Sequence, residues 1–292
     1  MQKRGQRMNK KQLHSHIESA VKRSVGCVPS YDHAKIAMCA LDLTSLNDDD
    51  NDQSIIRLAK KSQIVGDHQP ATLCVFPQYL HLLHDYKTAT VVIFPSGQAE
   101  SLDQIKDEIA LACGQGADEI DYVADYQAYL SMEVGAEEKI GQEIRTAKSA
   151  AGDRLLKIIL ESAAFGQMDE LYDFSSLAIE NGADFIKTST GKHEDGGADM
   201  ESVATMALAI DNHYKLTGKH VGLKISGGVS GQNYTNYITL VENILGHNFV
   251  KNPSLFRFGA SGLYDDLQLT LETYGQFNGR TPSVQTSSPQ GY

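Results

Sequence analysis

The stretch NGADFIKTS, residues 181–189, shows the local pattern that decides the fold. Its glycine follows a segment of helical period, and glycine often ends a helix because it readily adopts the left-handed conformation. The apolar run that comes next is too short for a helix and has the length of a strand. The segment QGADEIDYV, residues 115–123, repeats the pattern. The sequence therefore predicts helices that end at a glycine and lead directly into strands.

Eight apolar runs of strand length alternate with amphipathic helical segments along the chain. These runs are IAMCALD (36–42), ATLCVF (71–76), ATVVIF (89–94), DEIDYV (118–123), LLKIILE (155–161), ADFIKTS (183–189), VGLKIS (221–226) and LFRFGA (255–260). Continuous apolar strands separated by helices are typical of a parallel sheet covered by helices. Eight such units without a long linker predict an α/β fold, a closed (β/α)8 TIM barrel.

The barrel is expected to carry a short addition at each end. Residues 1–28 are predicted to form a basic extension and a helix, KKQLHSHIESAVKRS, that caps the bottom of the barrel. Residues 29–275 would form the barrel, which is the catalytic domain. Residues 276–292 are polar and rich in Ser, Pro and Gly, a composition typical of a mobile tail.

Composition excludes several classes of partner. The formal net charge of −11 argues against a general binder of nucleic acid or of membrane surfaces. No run of about 18 apolar residues occurs, so we expect no membrane span. The basic start lacks the apolar region of a secretory signal, and the four cysteines show no CxxC spacing. Both features favour a reducing, cytoplasmic compartment.

The segment TGKHEDGG, residues 190–197, looks like the end of a nucleotide-binding P-loop. That motif needs a glycine five residues before Gly191 and a serine or threonine after Lys192. These positions hold Ile186 and His193. The motif fails at both ends, so nucleotide binding is not predicted.

Lysines interrupt three of the apolar runs, at Lys157, Lys187 and Lys224. A lysine near a strand end can reach solvent, but lysine is rarely buried without a partner, and three in one barrel favour a functional site. Small residues follow Lys187 and Lys224, which places both near the carboxyl ends of strands, where TIM-barrel active sites lie. Alignment of the two glycine-led segments sets Asp121 opposite Lys187.

Two lysines in one pocket suit carbonyl chemistry. A neighbouring ammonium and a dry pocket lower the pKa of an amine, and only the neutral amine attacks a carbonyl. A carboxylate such as Asp121 could then transfer protons, although an aspartate on a strand can also be purely structural. The loops SGGVSG (226–231) and FGASG (258–262) follow the seventh and eighth strands, where this fold often binds phosphate. No histidine lies beside other ligands at a strand end except His193, so we predict neither a metal nor a cofactor.

These motifs together resemble one known family, the deoxyribose-phosphate aldolases, which are class I aldolases of the DeoC type. The resemblance rests on DLTSLNDDD (42–50), EIDYV (119–123), FIKTSTGK (185–192), GLKISGG (222–228) and RFGAS (257–261), and covers residues 36 to 275. It implies reversible cleavage of 2-deoxy-D-ribose 5-phosphate to acetaldehyde and D-glyceraldehyde 3-phosphate, in deoxyribonucleoside catabolism. A homodimer is also implied.

The resemblance assigns a role to each matching residue. Lys187 would form the Schiff base, while Lys224 and Asp121 would tune it and relay protons. Residues implied to line the substrate and its phosphate are Asp42, Cys74, Thr190, Gly191, Lys192, Gly227, Gly228, Gly259 and Ser261. In some members a C-terminal tyrosine joins the proton relay, which here would be Tyr292. The segment ESAAF (161–165) and Gly262 depart from the family's usual residues.

Two other functions are compatible with the same residues. One is a phosphosugar-binding TIM-barrel isomerase or synthase that forms no imine. The other is a catalytically inactive barrel that acts as a binding protein, against which the intact set of Lys187, Lys224 and Asp121 argues. Borohydride trapping separates the aldolase from the first, and an assay for glyceraldehyde 3-phosphate separates it from the second.

Overall fold

Eight parallel strands form a closed barrel in the computed structural model, which describes residues 8–62 and 68–278. The strands are β1 (Leu41–Ser45), β2 (Thr72–Val75), β3 (Thr88–Val92), β4 (Glu119–Val123), β5 (Leu155–Ile159), β6 (Phe185–Lys187), β7 (Gly222–Ser226) and β8 (Phe256–Ala260). Each strand pairs with the next in sequence order, and β8 pairs with β1 to close the barrel. The predicted TIM barrel is confirmed.

Helices surround the strands and connect them. They are α1 (Lys10–Ser24), α2 (Tyr31–Cys39), α3 (Asp52–Lys61), α4 (Leu102–Gly114), α5 (Tyr126–Leu130), α6 (Ala136–Ala151), α7 (Met168–Glu180), α8 (Met200–Thr217), α9 (Tyr234–Leu245), α10 (His247–Val250) and α11 (Leu263–Asn278). Short 3-10 turns span Pro77–Leu82 and Ser162–Ala164. Side-chain caps start several helices, as where Asn51 accepts from the backbone N–H of Ser54 at the start of α3.

The first strand lies later in the chain than predicted. Residues 36–39 of the run IAMCALD end helix α2, and β1 begins only at Leu41. Ser30 caps α2 by accepting a hydrogen bond from the backbone N–H of His33. Ile36 and Met38 are buried in the helix, so the run looks equally apolar as a helix or as a strand. As a consequence, Asp42 is the second residue of its strand and not the last.

The N-terminal helix α1 exists but does not close the bottom of the barrel. It packs across α7, α8 and α9, with Leu13 and Ile17 buried in that contact. Lys10 at its start pairs with Asp169 in the first turn of α7. Because α1 covers α8 from outside, every residue of α8 from Ser202 to Ile210 is buried.

Parts of the predicted extension and tail lie outside the described residues. The first seven residues and those after Asn278 belong to this group, and so does Tyr292. Helix α11 continues to Asn278 and so includes residues 276–278, which were predicted to belong to the tail. Within residues 8–62 and 68–278, none of the helices combines the length and apolar character needed to cross a bilayer.

The interior of the barrel is polar, whereas the layer between strands and helices is apolar. Successive side chains of a strand point to opposite faces, so Ile120 and Tyr122 face the helices while Glu119 and Asp121 face inward. The same alternation turns the strand lysines inward. The barrel therefore buries a group of charged side chains at its centre.

Candidate active site

Asp121 lies at the centre of the buried charges. Its Oδ2 accepts hydrogen bonds from Lys187 Nζ over 2.9 Å and from Lys224 Nζ over 2.8 Å. Its Oδ1 accepts from Lys157 Nζ over 2.9 Å. All four side chains are buried. The structure thus brings together the three residues for which the sequence predicted catalytic roles, and it adds Lys157.

The register of the strands produces this arrangement. Lys187 is the last residue of β6 and lies beside Lys224 of β7 in the parallel pairing. Asp121 of β4 pairs in register with Lys157 of β5. Asp121 and Lys187 both belong to even-numbered strands, whose inward side chains share layers of the barrel. Their contact is the one that alignment of the two glycine-led segments predicts.

A second group of charges extends away from Lys187. Lys224 Nζ lies 2.6 Å from Asp42 Oδ2, and Asp42 Oδ1 accepts from Arg257 Nη1 over 2.5 Å. Arg257 also donates to Glu119 from Nη2 over 2.9 Å and from Nη1 over 3.2 Å. Lys157 Nζ closes the network 2.6 Å from Glu119 Oε2. Acidic and basic groups therefore alternate through this network.

The two lysines that share Asp121 Oδ2 differ in acidity. Burial disfavours the ammonium of Lys187 and the charge of Lys224 adds to that effect, so the pKa of Lys187 falls below that of an ordinary lysine. Burial also disfavours the ammonium of Lys224, but Asp121 and Asp42 outweigh it and raise the pKa of Lys224. Of the two amines, that of Lys187 therefore gives up its proton more readily.

The remaining members of the network keep their charges. Burial alone would favour a neutral Asp121, but Lys157, Lys187 and Lys224 hold its pKa well below the usual range. Burial alone would favour a neutral Lys157, but Asp121, Glu119 and Asp42 outweigh burial and raise the pKa of Lys157. An amine of lowered pKa, an ammonium of raised pKa and a carboxylate between them thus lie together in one buried interior.

An open cleft of about 350 Å³ lies above Lys187 at the carboxyl ends of the strands. Loops after β1, β6, β7 and β8 form its walls. Seven predicted substrate-binding residues line it, namely Thr190, Gly191, Lys192, Gly227, Gly228, Gly259 and Ser261. Thr44, Leu46, Asn47 and Ser226 also line it and were not predicted. Lys187 is the one buried lysine of the network that reaches this cleft.

Two predicted substrate-binding residues, Asp42 and Cys74, are not part of the cleft wall. Asp42 and Cys74 are completely buried below it, on β1 and β2. Asp42 pairs with Lys224, and Cys74 lies near enough to the lysines to feel their charge, although burial raises the pKa of its thiol. Tyr292 lies outside the described residues.

Glycines allow the walls of the cleft to approach each other. Gly227 has a left-handed φ of 83°, and a Cβ there would lie 2.7 Å from Gly197 Cα. Gly197, the last residue of the segment KHEDGG, is thus needed as a glycine where the loops after β6 and β7 touch. A Cβ on Gly259 would lie 2.9 Å from Lys224 Cε. Glycine there leaves room for the lysine side chain.

Glu161 is a functional candidate that the sequence reasoning missed. It lies just beyond β5, is buried, and has a left-handed φ of 52° that is unusual for a residue other than glycine. Its carboxylate accepts hydrogen bonds from the backbone N–H and from the hydroxyl of Thr190. The Thr190 hydroxyl in turn accepts from the backbone N–H of Lys192 over 3.0 Å. A carboxylate at the carboxyl end of a predicted strand was the available signal.

Lys192 points its ammonium to the rim of the cleft, where Nζ lies 2.8 Å from Asp48 Oδ1. Asp48 is exposed, so an anionic ligand could compete for this lysine. Ser261 and Gly262 lie immediately before α11 and present the N-terminal end of that helix to the same space. In the part of the chain that the structure describes, no three His, Cys, Asp or Glu side chains are grouped to hold a metal ion.

Comparison with known proteins places this geometry in a family. A family model described as DeoC/LacD family aldolase matches residues 36–239. The fold is similar to a proposed deoxyribose-phosphate aldolase from Toxoplasma gondii ME49, with a TM-score of 0.76 and 22% identity over 84% of this chain and 98% of that one. It is similar to another from Coccidioides immitis, with a TM-score of 0.68 and 25% identity over 90% and 98%.

A third structure, a deoxyribose phosphate aldolase from Aeropyrum pernix, gives a TM-score of 0.62 and 21% identity. The match covers 89% of this chain and 98% of that one, which is described as a tetramer. At such identities these structures are evidence for the fold, and the family model is evidence for the family.

Proposed function

The chain belongs to the DeoC/LacD family of aldolases, and we propose that it is a class I aldolase that reversibly cleaves 2-deoxy-D-ribose 5-phosphate. The products would be acetaldehyde and D-glyceraldehyde 3-phosphate, as part of deoxyribonucleoside catabolism. The observation that carries this proposal is Lys187, a buried amine of lowered pKa that opens into a cleft walled by glycine loops.

The first step would be attack of the neutral Nζ of Lys187 on the aldehyde carbon of the open-chain sugar. Loss of water then gives an iminium, which draws electrons from the neighbouring carbon. The bond between C2 and C3 breaks, its electron pair forms an enamine, and the C3 hydroxyl loses its proton to become the aldehyde of glyceraldehyde 3-phosphate. Protonation of the enamine carbon and hydrolysis of the iminium release acetaldehyde and restore Lys187.

Each proton in this sequence needs a donor or an acceptor. Asp121 and Lys224 contact each other over 2.8 Å directly beside Lys187, which suits a relay. Lys224 has a raised pKa and stays protonated, so it would donate, while Asp121 would accept directly or through a water. The same ammonium lowers the pKa of Lys187 and so raises the fraction of its amine that is neutral.

The phosphate would bind at the far end of the cleft. Gly227 and Gly228 after β7, and Ser261 before α11, offer backbone N–H groups and a helix N-terminus to an anion. Lys192 would exchange its exposed partner Asp48 for the phosphate. Such a site holds the sugar with its aldehyde end over Lys187.

Borohydride trapping tests the proposal. Reduction in the presence of acetaldehyde should attach an ethyl group to Lys187 and inactivate the protein irreversibly. Peptide mapping would locate the adduct, and Lys187→Leu and the cleft variant Lys192→Leu serve as matched controls. A folded protein that gives no adduct, with Lys187→Leu still active, would contradict the imine.

A coupled assay for glyceraldehyde 3-phosphate addresses the other functions. An isomerase or synthase would turn over a phosphosugar without an adduct, and a binding protein would bind it without turnover. We further propose that catalysis needs no metal, so activity should survive EDTA. A cytoplasmic location and a homodimer remain predictions, and light scattering would distinguish the dimer from a tetramer.

A further inference from the structure

The charged network below the cleft contains an unequal number of acidic and basic groups. Its carboxylates are Asp42, Glu119 and Asp121, all buried. The cations joined to them inside the barrel are Lys157, Lys187, Lys224 and Arg257, also buried. Among the described residues that meet inside the barrel, four cations thus face three carboxylates. The interior is neutral only if one of the four gives up its proton.

Geometry decides which cation is in excess. Lys157 lies within 4 Å of all three carboxylates, and Lys224 touches Asp42 and Asp121. Arg257 binds both Asp42 and Glu119. Lys187 has one carboxylate partner, Asp121, and its oxygen is shared with Lys224. Lys187 is therefore the group that loses its proton at least cost.

Arg257 occupies the opposite end of this network. Its guanidinium hydrogen-bonds to Asp42 and Glu119, and not to Lys187 or Asp121. Asp42 in turn pairs with Lys224, and Glu119 pairs with Lys157. A guanidinium does not deprotonate in proteins, so its charge is fixed. We propose that Arg257 is a positioning residue that keeps Lys187 unprotonated by supplying the third permanent positive charge.

Loss of the Arg257 charge would lead to protonation of Lys187. Without Arg257, three carboxylates would face Lys157 and Lys224 only, and the interior would take up one proton. An amine binds a proton more tightly than a carboxyl by about six pK units, so Lys187 would take it before Asp42 or Glu119. Lys187 would then be a permanent ammonium and a poor nucleophile.

Other charged groups around Lys187 do not change the count. Cys74 of β2 is buried with a raised pKa and is a neutral thiol. Glu161 beyond β5 accepts hydrogen bonds from Thr190 and is not among the carboxylates that form ion pairs with the four cations. Lys192 at the rim is paired with Asp48. Lys87 approaches Glu119 from the amino end of β3, but its side chain is half exposed and shares its charge with solvent. The inward residues of β3 are Ala89 and Val91, which pair in register with Cys74 and Asp121 and carry no charge.

This inference rests on the proposed function only where it says that a neutral Lys187 serves catalysis. Its test therefore measures the protonation of Lys187 directly, by chemical labelling. Trace acetic anhydride acetylates a lysine in proportion to its neutral fraction. Labelling from about pH 6 to about pH 11, followed by peptide mass spectrometry, gives the midpoint for Lys187. The exposed Lys219 of the same chain is the internal reference.

The expected Lys187 midpoint of each variant follows from the number of buried charges that the variant retains. Arg257→Met should move the Lys187 midpoint to higher pH and lower its labelling at pH 7 by about tenfold or more, since each pH unit is a factor of ten. Arg257→Lys keeps the charge and should stay close to the wild type. The double variant Arg257→Met with Glu119→Gln has two carboxylates and two permanent cations, and should return the midpoint toward the wild type.

An unchanged midpoint in folded Arg257→Met, or a double variant no better than the single one, would overturn the inference. If Arg257→Met does not fold, Glu119→Gln tests the same charge count by removing a carboxylate, and it must move the Lys187 midpoint to lower pH. A midpoint that rises or stays unchanged in Glu119→Gln would also overturn the inference. Labelling that follows the series in a protein without aldol cleavage would instead reject the proposed function and leave this inference standing.

Discussion

Lys187 and Lys224 donate hydrogen bonds to the same atom, Oδ2 of Asp121, over 2.9 and 2.8 Å. Lys224 has a second carboxylate partner in Asp42, whereas Lys187 has none. The shared oxygen therefore holds two amines in one place while favouring the charge on only one of them. In the proposed mechanism, this asymmetry separates the nucleophile Lys187 from the proton donor Lys224.

Lys224→Leu should shift the pH profile and not merely slow the reaction. The charge of Lys224 lowers the pKa of Lys187, so its removal raises that pKa and moves the acid limb of kcat/KM to higher pH. At pH 7 we expect a loss of at least about tenfold, because each unit of pKa costs a factor of ten in neutral amine. Measurement of kcat/KM against pH, with exposed Lys219→Leu as control, checks this. A profile of unchanged shape would exclude a tuning role for Lys224.

Lys187→Met should abolish activity without loss of stability. Lys187 is buried with a single shared partner, and Asp121 keeps Lys157 and Lys224 when it is removed. A hydrophobic side chain of similar size avoids the cost of burying an amine, so the free energy of unfolding should stay constant or rise by about 1 kcal/mol. Urea unfolding gives the value, and a loss of several kcal/mol would show that Lys187 supports the fold.

Asp121→Asn should have the opposite effect on stability, and the effect should depend on pH. Its carboxylate is paired with three buried lysines, and loss of one partner of a buried pair costs about 3–5 kcal/mol. The pKa of Asp121 is lowered by folding, so its contribution is fully present above the unfolded pKa of about 4 and declines as the pH falls toward the folded value.

The difference in unfolding free energy between wild type and Asp121→Asn should therefore be large at pH 7 and smaller near pH 3. Urea unfolding at both pH values measures it. The exposed Asp195→Asn serves as the control, for which no such difference is expected. A difference that grows on acidification would contradict the assignment of Asp121 as an ionised, paired group.

Glu161→Ala should weaken substrate binding more than it slows turnover. Glu161 holds Thr190, and Thr190 orients the backbone before Lys192 at the cleft wall. Without this anchor the loop after β6 loses a fixed position, and we expect KM for the phosphorylated sugar to rise about tenfold, the effect of about 1.4 kcal/mol. Unphosphorylated 2-deoxyribose should be affected less, because it does not use the phosphate end.

The control for this prediction is Glu161→Gln, whose amide oxygen can still accept from the Thr190 N–H and should retain most of the affinity. Comparison of KM and kcat for both sugars separates the two effects. A fall in kcat alone, equal for both sugars, would place Glu161 in the chemistry and not in binding.

Local pattern was sufficient to predict the barrel and part of the site. Eight apolar runs of strand length alternate with helical segments, several of which end at a glycine, and this alternation favours a closed barrel. The period of two in a strand also identifies Lys187 and Lys224 as inward-facing, because their neighbours Ile186 and Leu223 must face the helices. The error at β1 arose where an apolar run serves equally well as helix and strand.

Only the tertiary structure shows why the pKa of Lys187 is lowered while that of Lys224 is raised. Arg257 and Glu119 are 138 residues apart in sequence, and their contact depends on the tilt and register of strands on different sides of the barrel. The same holds for Asp42, which pairs with Lys224 across the closure of β8 onto β1. A local pattern specifies the face on which a side chain lies. Protonation depends on the sum of distances to every buried charge, and those distances exist only once the barrel has closed.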